Sequence, residues 1–480
     1  MPPSLPPEML GMILSFIFDI ESLLALRLVN TVWCDAVDYF VRKPLYVDLL
    51  NKNLVRFYDA TKLEESLRNQ VRTLVWNLPD RPIWNCFSIS DPLSQDLHGL
   101  SGPNRLQLLM TMFANMRIFE DQDFFFPNLT HLAIHFRPPP IFDNICLCSP
   151  AMKGYHLKYI FSNLIMGLDG FHGLSELSLL NIPIEFSLPF WIGPANVDQW
   201  LPVGRIIREF SLKSLRMSFL APKIWPYRND DRARAPSARA NHLLICTVRE
   251  TLRHLSLSNW GFYMKNSPGY LAGELHLPHL ESVELRSCGF TNSQTLEWIL
   301  SHSDTLRSLR FDDCAIIYSM ELAPGSKADY ILDDITIGVE GGRVYQLYKL
   351  LWAVWFQRLA SGLPRLQHFD IGSSRVRAAG ERGPKFKSET LVGPKFGHTN
   401  DFLFGLFPDR YLEMKDGPNE YPWVLRPISK LRKFEDRPDA DEIDNSALRQ
   451  LLAITGQVVR ENDTSSHAAK VVDLMGVVER

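Results

Sequence analysis

One recurring phrase limits what this chain can fold into. It runs apolar, two residues, apolar, one residue, apolar. The clearest copies are Leu174–Leu179, Leu252–Leu257, Leu280–Leu285 and Leu306–Phe311. Weaker ones are Val71–Trp76, Leu129–Ile134, Leu212–Met217 and Leu366–Ile371. Alternation at the end of each phrase is the pattern of a short strand with one buried face. Asn181, Asn259, Cys288 and Cys314 follow four of the copies within a few residues, where a polar or thiol group can close a turn. Leu252 and Leu280 are 28 residues apart and Leu280 and Leu306 are 26, whereas the other intervals run from 38 to 60. A unit this short cannot bury its apolar face alone, so the copies are expected to stack on one another.

The phrase, its closing Asn or Cys and the shorter spacings resemble the leucine-rich repeat. The resemblance implies an α/β solenoid with parallel strands on a concave face and helices and loops outside. Between two copies, Ser293–His302 places Leu296, Ile299 and Leu300 at helical spacing, as a connecting helix would. The long intervals must carry insertions: Asp80–Pro103, the Arg137–Pro140 polyproline turn, Lys223–Arg239 and Arg375–Lys387 all read as loops. The repeat-like domain is expected over 50–380 and an irregular extension over 381–436. An acidic linker with a helical tail is expected over 437–480, its helix starting near Asn445 and burying Leu448, Leu451, Leu452 and Val459.

The N-terminal residues 1–49 read as three short helices. Pro6 and Pro7 suit a helix entry, and Met9, Ile13, Phe16 and Ile17 share one face. Ser22 can cap a second helix rich in Leu, and Trp33, Val37 and Phe40 belong to a third that ends at Pro44. This is more apolar surface than so short a segment can bury, so it either docks on a partner or caps the next domain. In order, Leu5, Pro6, Glu8, Ile13, Leu14, Ile17, Leu23, Leu24, Arg27, Leu28, Val29 and Trp33 resemble the F-box. That module hooks substrate receptors of SCF-type (Skp–cullin–F-box) ubiquitin ligases to a Skp-type adaptor. The chain departs from the pattern at Asn30–Cys34, where a basic residue usually accompanies the Trp. The resemblance makes Leu5, Pro6, Ile13, Leu14, Ile17, Leu23, Leu24, Leu28, Val29 and Trp33 the adaptor-binding motif, without separating contact residues from the module's own core. Divergent repeats after an F-box are similar to the arrangement in many fungal receptors of this class.

Composition removes other classes. With 46% hydrophobic and 22% charged residues, the 480-residue chain is an ordinary folded protein. A net charge of −3 argues against a nucleic-acid binder. The apolar run from Met9 lacks a basic n-region, so it does not read as a signal peptide. Tyr345–Leu363, interrupted by Lys349, Gln357 and Arg358, reads as a buried amphipathic helix rather than a membrane span. Seven irregularly spaced cysteines fit a reducing compartment, either cytosol or nucleus.

No catalytic or metal signature stands up. Cys146 and Cys148 have no second ligand pair at zinc spacing. His131 and His135 lie on an expected strand, where four residues span roughly 13 Å, too far for one ion. Gly338–Arg343 opens an expected helix and could hold an anion there, but matches no phosphate-binding fingerprint, and a tight turn is the simpler reading. The chain is therefore expected to be non-enzymatic and to need no cofactor.

In a stacked array the polar strand residues line one surface. His131, His135, Glu176, Arg216, His254, Glu284, Arg286, Arg310, Asp312, His368 and Asp370 would lie there. Their mixed signs favour a protein partner over a polyanion. The resemblance implies a receptor that docks on the Skp-type adaptor, and through it cullin, while the repeat face holds a target protein for ubiquitination. An F-box scaffold or sorting protein acting without target degradation is the alternative.

Overall fold

The computed structural model describes residues 10, 13, 25–26, 28–34, 45–48, 71–78, 128–136, 173–183, 207–220, 244–258, 275–290, 293–322, 335–340, 343–348, 350–373, 403–407, 410–415, 424–427 and 440–457. The chain is α/β, with parallel strands and few helices among the described residues. It divides into two compact units, Met1–Ser214 with Thr390–Pro394 and Leu215–Glu389 with Lys395–Arg480.

In the first unit β1 (Leu45–Asp48), β2 (Thr73–Leu78), β3 (His131–Phe136) and β4 (Glu176–Pro183) pair in that order, all parallel. Three of them are copies of the recurring phrase. β1 begins just after Pro44, where the third expected helix ends. Leu74, Leu132, Ile134, Leu177 and Leu179 form the buried face, and Leu129 and Leu174 fill the position before each strand. Each such side chain contributes about 1.5–3 kcal/mol through burial.

All but the first residue of β5 (Ser214–Leu220) lies in the second unit. It is followed by β6 (His254–Ser258), β7 (Ser282–Arg286), β8 (Gly289–Phe290), α1 (Gln294–Leu300), β9 (Ser308–Asp312) and β10 (Ala315–Leu322). Next come β11 (Ile335–Glu340), β12 (Arg343–Tyr348), α2 (Trp352–Gly362), β13 (His368–Ser373) and β14 (Leu403–Phe404). β15 (Tyr411–Lys415), β16 (Val424–Pro427) and α3 (Ala440–Ile454) complete it. Strands β6, β7, β9 and β13 are parallel neighbours, and β14 pairs antiparallel with β13. A second sheet runs β11-β12-β10-β15-β16, with β8 beside β10.

Strand entry is built the same way six times. Two consecutive N–H groups donate to a single carbonyl on the preceding copy. Glu281 and Ser282 donate to Arg253, Arg307 and Ser308 to Glu281, and Gln367 and His368 to Arg307. The same pairing joins Thr130 and His131 to Arg72, Ser175 and Glu176 to Thr130, and Lys213 and Ser214 to Ser175. Exit is closed by the thiols. Cys288 reaches the carbonyl of Leu257 at 3.9 Å and Cys314 that of Leu285 at 3.1 Å, so each spans back to the strand before. Both are buried and free, as expected of turn closure. Asn181 takes φ 58°, the left-handed conformation an Asn tolerates. Asn259 lies outside the described residues.

The second unit's core is aromatic. Phe311 on β9 meets Phe290, Trp352, Trp355 and Phe369 at centroid distances of 5.5 to 6.1 Å. α1 forms where its apolar spacing places it and buries Leu296, Trp298 and Ile299.

Four expectations change. The helix foreseen over Tyr345–Leu363 begins only at Trp352. Val344–Tyr348 belong to β12, which pairs antiparallel with β11, Glu340 facing Arg343. Gly338 and Glu340 lie on β11 and Arg343 opens β12, so a strand, not a helix, begins there. The stretch 381–436, expected to be irregular, supplies β14, β15 and β16. The acidic stretch is not all linker, because α3 starts at Ala440, five residues before Asn445, and takes Asp441, Glu442 and Asp444 into its first turns. Acidic residues there oppose the positive end of the helix dipole. Leu448, Leu451 and Leu452 are buried as foreseen, and Val459 lies outside the described residues. The loops foreseen at Asp80–Pro103, Arg137–Pro140, Lys223–Arg239 and Arg375–Lys387 fall wholly or almost wholly outside them too.

α3 also closes the edge of β13. Gln457, just beyond it, accepts the Phe369 N–H at 2.8 Å and donates to the Phe369 carbonyl at 3.2 Å, taking the place of a neighbouring strand. Among the described residues no helix is long and apolar enough to cross a membrane.

Candidate functional site

Two surfaces carry the residues singled out from the sequence. At the N-terminus Leu5, Pro6, Leu14, Ile17, Leu23 and Leu24 lie outside the described residues. Ile13, Leu28, Val29 and Trp33 lie within them. Leu10 is buried, whereas Leu28 is 88% exposed and Val29 59%, with Ile13 and Val32 also exposed. Leu28 and Val29 sit in a turn held by N–H bonds to the carbonyls of Ala25 and Leu26. Asn30 has a local structural role. The Asn30 side chain accepts the Trp33 N–H at 3.0 Å and the Asn30 carbonyl accepts the Cys34 N–H at 2.9 Å, which makes Asn30 the cap of the Thr31–Cys34 helical turn.

The second surface is the strand face turned away from the apolar core. Strand register assembles it in rows. In the second unit one row is His254, Ser282, Ser308 and His368; the next is Ser256, Glu284, Arg310 and Asp370; the third is Ser258, Arg286, Asp312 and Gly372. Arg216 occupies the alternating position on β5. Neighbouring side chains in a row stand about 4.8 Å apart, so opposite charges on adjacent strands fall within reach of each other.

They use that reach. Arg286 Nε donates to Asp312 Oδ2 at 2.9 Å and lies 4.0 Å from Glu284 Oε1, which is 3.7 Å from Arg310 Nε. Ser256 Oγ donates to Glu284 Oε2 at 3.0 Å, and His368 Nε2 is 3.1 Å from Asp370 Oδ2. Arg253, at the entry to β6, pairs with Glu281 at 3.0 Å. Arg310 and Asp312 are buried, so these charges form an internally paired network. What remains outward is the entry row with exposed His254 and His368.

In the first unit His131 Nε2 lies 3.0 Å from Ser178 Oγ, and its Nδ1 lies 4.0 Å from exposed Glu176. Ser178, His131 and Glu176 stand in the order of a nucleophile, base and acid, but 4.0 Å exceeds a hydrogen bond. Ser178 and His131 are both buried. His135 Nε2 is 2.7 Å from the side-chain nitrogen of Asn181 on β4, so it bonds across to the neighbouring strand and not to the partner of His131. No group of three or more His, Cys, Asp or Glu side chains that could hold a metal is found among the described residues.

The sequence pattern missed Val32, which falls outside the F-box motif, and the serines Ser256, Ser282 and Ser308. Their strand positions were the available signal; their hydroxyls alone gave none. Comparison of the chain with protein-family models and with curated proteins finds no match.

Proposed function

We propose that this chain is a substrate-recognition subunit of an SCF-type ubiquitin ligase, acting in the cytosol or nucleus. The N-terminal residues dock on a Skp-type adaptor, and the polar strand face of a leucine-rich-repeat solenoid holds a target protein. The carrying observation is the F-box order of residues, joined to outward placement of Leu28 and Val29 at motif positions. Exposed large aliphatic side chains on adjacent residues carry a standing hydration cost that docking relieves, about 1.5–3 kcal/mol for each one fully buried. The eight strand-forming copies of the phrase support the second half, since stacked parallel strands present a broad polar face. The chain's role is proximity: tethering a target beside a ubiquitin-charged E2 raises the effective concentration of its lysines.

Affinity capture from cells tests the reading. Wild type recovers adaptor and cullin, and a Leu5→Ala/Pro6→Ala variant loses both. Equal recovery from the two rules the reading out. Dependence of a partner's turnover on Leu5 and Pro6 separates a degradation receptor from a scaffold.

A further inference from the structure

On the strand face of the second unit each acidic side chain among the described residues already has a hydrogen-bond or ion-pair partner. Glu281 is held by Arg253, Glu284 by Ser256 beside Arg310, Asp312 by Arg286 and Asp370 by His368. The outward groups at the strand-entry end are of the opposite kind. Arg307 is exposed, as is His254, and Ser282 and Ser308 between them are half-buried. None of these four side chains makes a hydrogen bond or ion pair with another described residue. An arginine and two hydroxyls offer donors, and His254 offers a ring N–H in either tautomer.

Register places these groups on one ledge. His254, Ser282, Ser308 and His368 are paired across four adjacent strands, three steps of about 4.8 Å, or roughly 14 Å in all. That length matches four to five residues of extended chain at roughly 3.3 Å per residue. Arg307 is exposed one position before Ser308, and the two residues' N–H groups share the Glu281 carbonyl at the entry to β9. With its acids already engaged from within and its outward groups rich in donors, the ledge complements carboxylates and disfavours ammonium groups.

We propose that the strand-entry ledge of β6, β7, β9 and β13 binds an extended, carboxylate-rich segment of the target protein. The inference rests on the reading that the target lies on this strand face, and it adds the chemistry of what is recognised. Arg307 supplies the charge-assisted contact, and Ser282 and Ser308 donate to side-chain or main-chain oxygens between the two histidines.

The test uses the full-length chain and three fluorescein-labelled ten-residue peptides, alternating Glu-Gly, Lys-Gly and Ser-Gly, read by fluorescence anisotropy. The Glu-Gly peptide binds and weakens with added salt, while the other two do not bind. Arg307→Glu weakens it by roughly tenfold or more, as does Ser282→Asp/Ser308→Asp. Arg449→Glu, an exposed charge on α3, leaves it unchanged. Urea unfolding confirms that each variant is folded. Failure of the Glu-Gly peptide to bind overturns the proposal, as does equal binding by Arg307→Glu. A phosphoserine-Gly peptide that binds where Glu-Gly does not overturns the assignment to carboxylates. Adaptor capture is scored separately on the same preparations. Capture without ledge binding sinks this inference alone, and ledge binding without capture sinks the ubiquitin-ligase reading alone.

Discussion

The carboxylate of Asp444 has no exposed surface and accepts Arg410 Nε at 3.0 Å, joining α3 to the start of β15. The same carboxylate accepts the Ala353 N–H at 2.9 Å in the first turn of α2 and the Tyr411 hydroxyl at 2.9 Å. Tyr411 in turn accepts the Trp352 N–H at 2.8 Å. One residue of α3 thus caps a different helix, whose own N-cap position is Leu351 and offers no side-chain bond. Burial pushes the Asp444 carboxyl up, while its bonds to Arg410, Tyr411 and Ala353 pull the other way. Burial would lower the Arg410 guanidinium, yet its hydrogen bonds to Asp441 and Asp444 hold it above its ordinary value.

Asp444→Ala is therefore expected to destabilise the second unit by about 3–5 kcal/mol, because it strands a buried guanidinium and uncaps α2. Urea unfolding followed by tryptophan fluorescence measures this. Asp441, whose side chain is mostly exposed, also binds Arg410, and Asp441→Ala should cost much less. Equal losses would mean that burial of Asp444 is not what matters.

His302 gives the chain an acid-sensitive contact. Its Nε2 accepts the Leu277 N–H at 3.1 Å, so the proton sits on Nδ1, 2.8 Å from the Trp298 carbonyl. Burial first, and neighbouring His276 last, lower its pKa to about 4, although the Trp298 carbonyl opposes them. The folded state thus resists a proton that the unfolded chain accepts near pH 6.5. The contribution is full above about pH 6.5, falls as pH drops toward 4, and amounts to about 3 kcal/mol at most. His302→Asn should flatten the decline in urea stability between pH 7 and pH 4.5. An unchanged slope would assign the acid sensitivity to other groups.

Trp298, Trp352 and Trp355, buried among the described residues, differ in one respect. Trp298 donates to the Leu275 carbonyl at 2.8 Å and Trp352 to that of Arg410 at 3.1 Å. The buried Trp355 indole N–H finds no acceptor among the described residues. Trp355→Phe removes an unsatisfied donor as well as volume, so it should cost at least about 1 kcal/mol less than Trp298→Phe or Trp352→Phe. Thermal unfolding of the three variants ranks them, and a Trp355 variant at the bottom of that ranking would contradict the assignment.

Leu28→Lys and Val29→Lys should leave stability within about 0.5 kcal/mol, since both side chains already stand in water. Under the proposed function each should reduce adaptor recovery at least as much as Val32→Lys. Loss of folding in either variant would place these residues in the core.

Much of the parallel array was legible in the sequence because its signal is local. Leu280, Val283 and Leu285 declare a buried face within six residues, and all eight copies of the phrase form strands. The second sheet was not legible. β10 lies between β12, its antiparallel partner, and β15, far along the chain, and no short-range period encodes pairing at that separation. For the candidate site, the alternating positions were readable and their pairing was not. Glu284, Arg286, Arg310 and Asp312 look like four free charges in a row of text.

By itself the sequence determined which residues face the core, where strands recur and where thiols close turns, since these follow from side-chain period and size. The tertiary structure decided which charges are spent. Arg286 meets Asp312 only because two strands 26 residues apart lie in register. Asp444 becomes a helix cap only because α3 packs against α2. Electrostatic and hydrogen-bond energies depend on distances of a few ångströms between residues remote in the chain, and folding sets those distances.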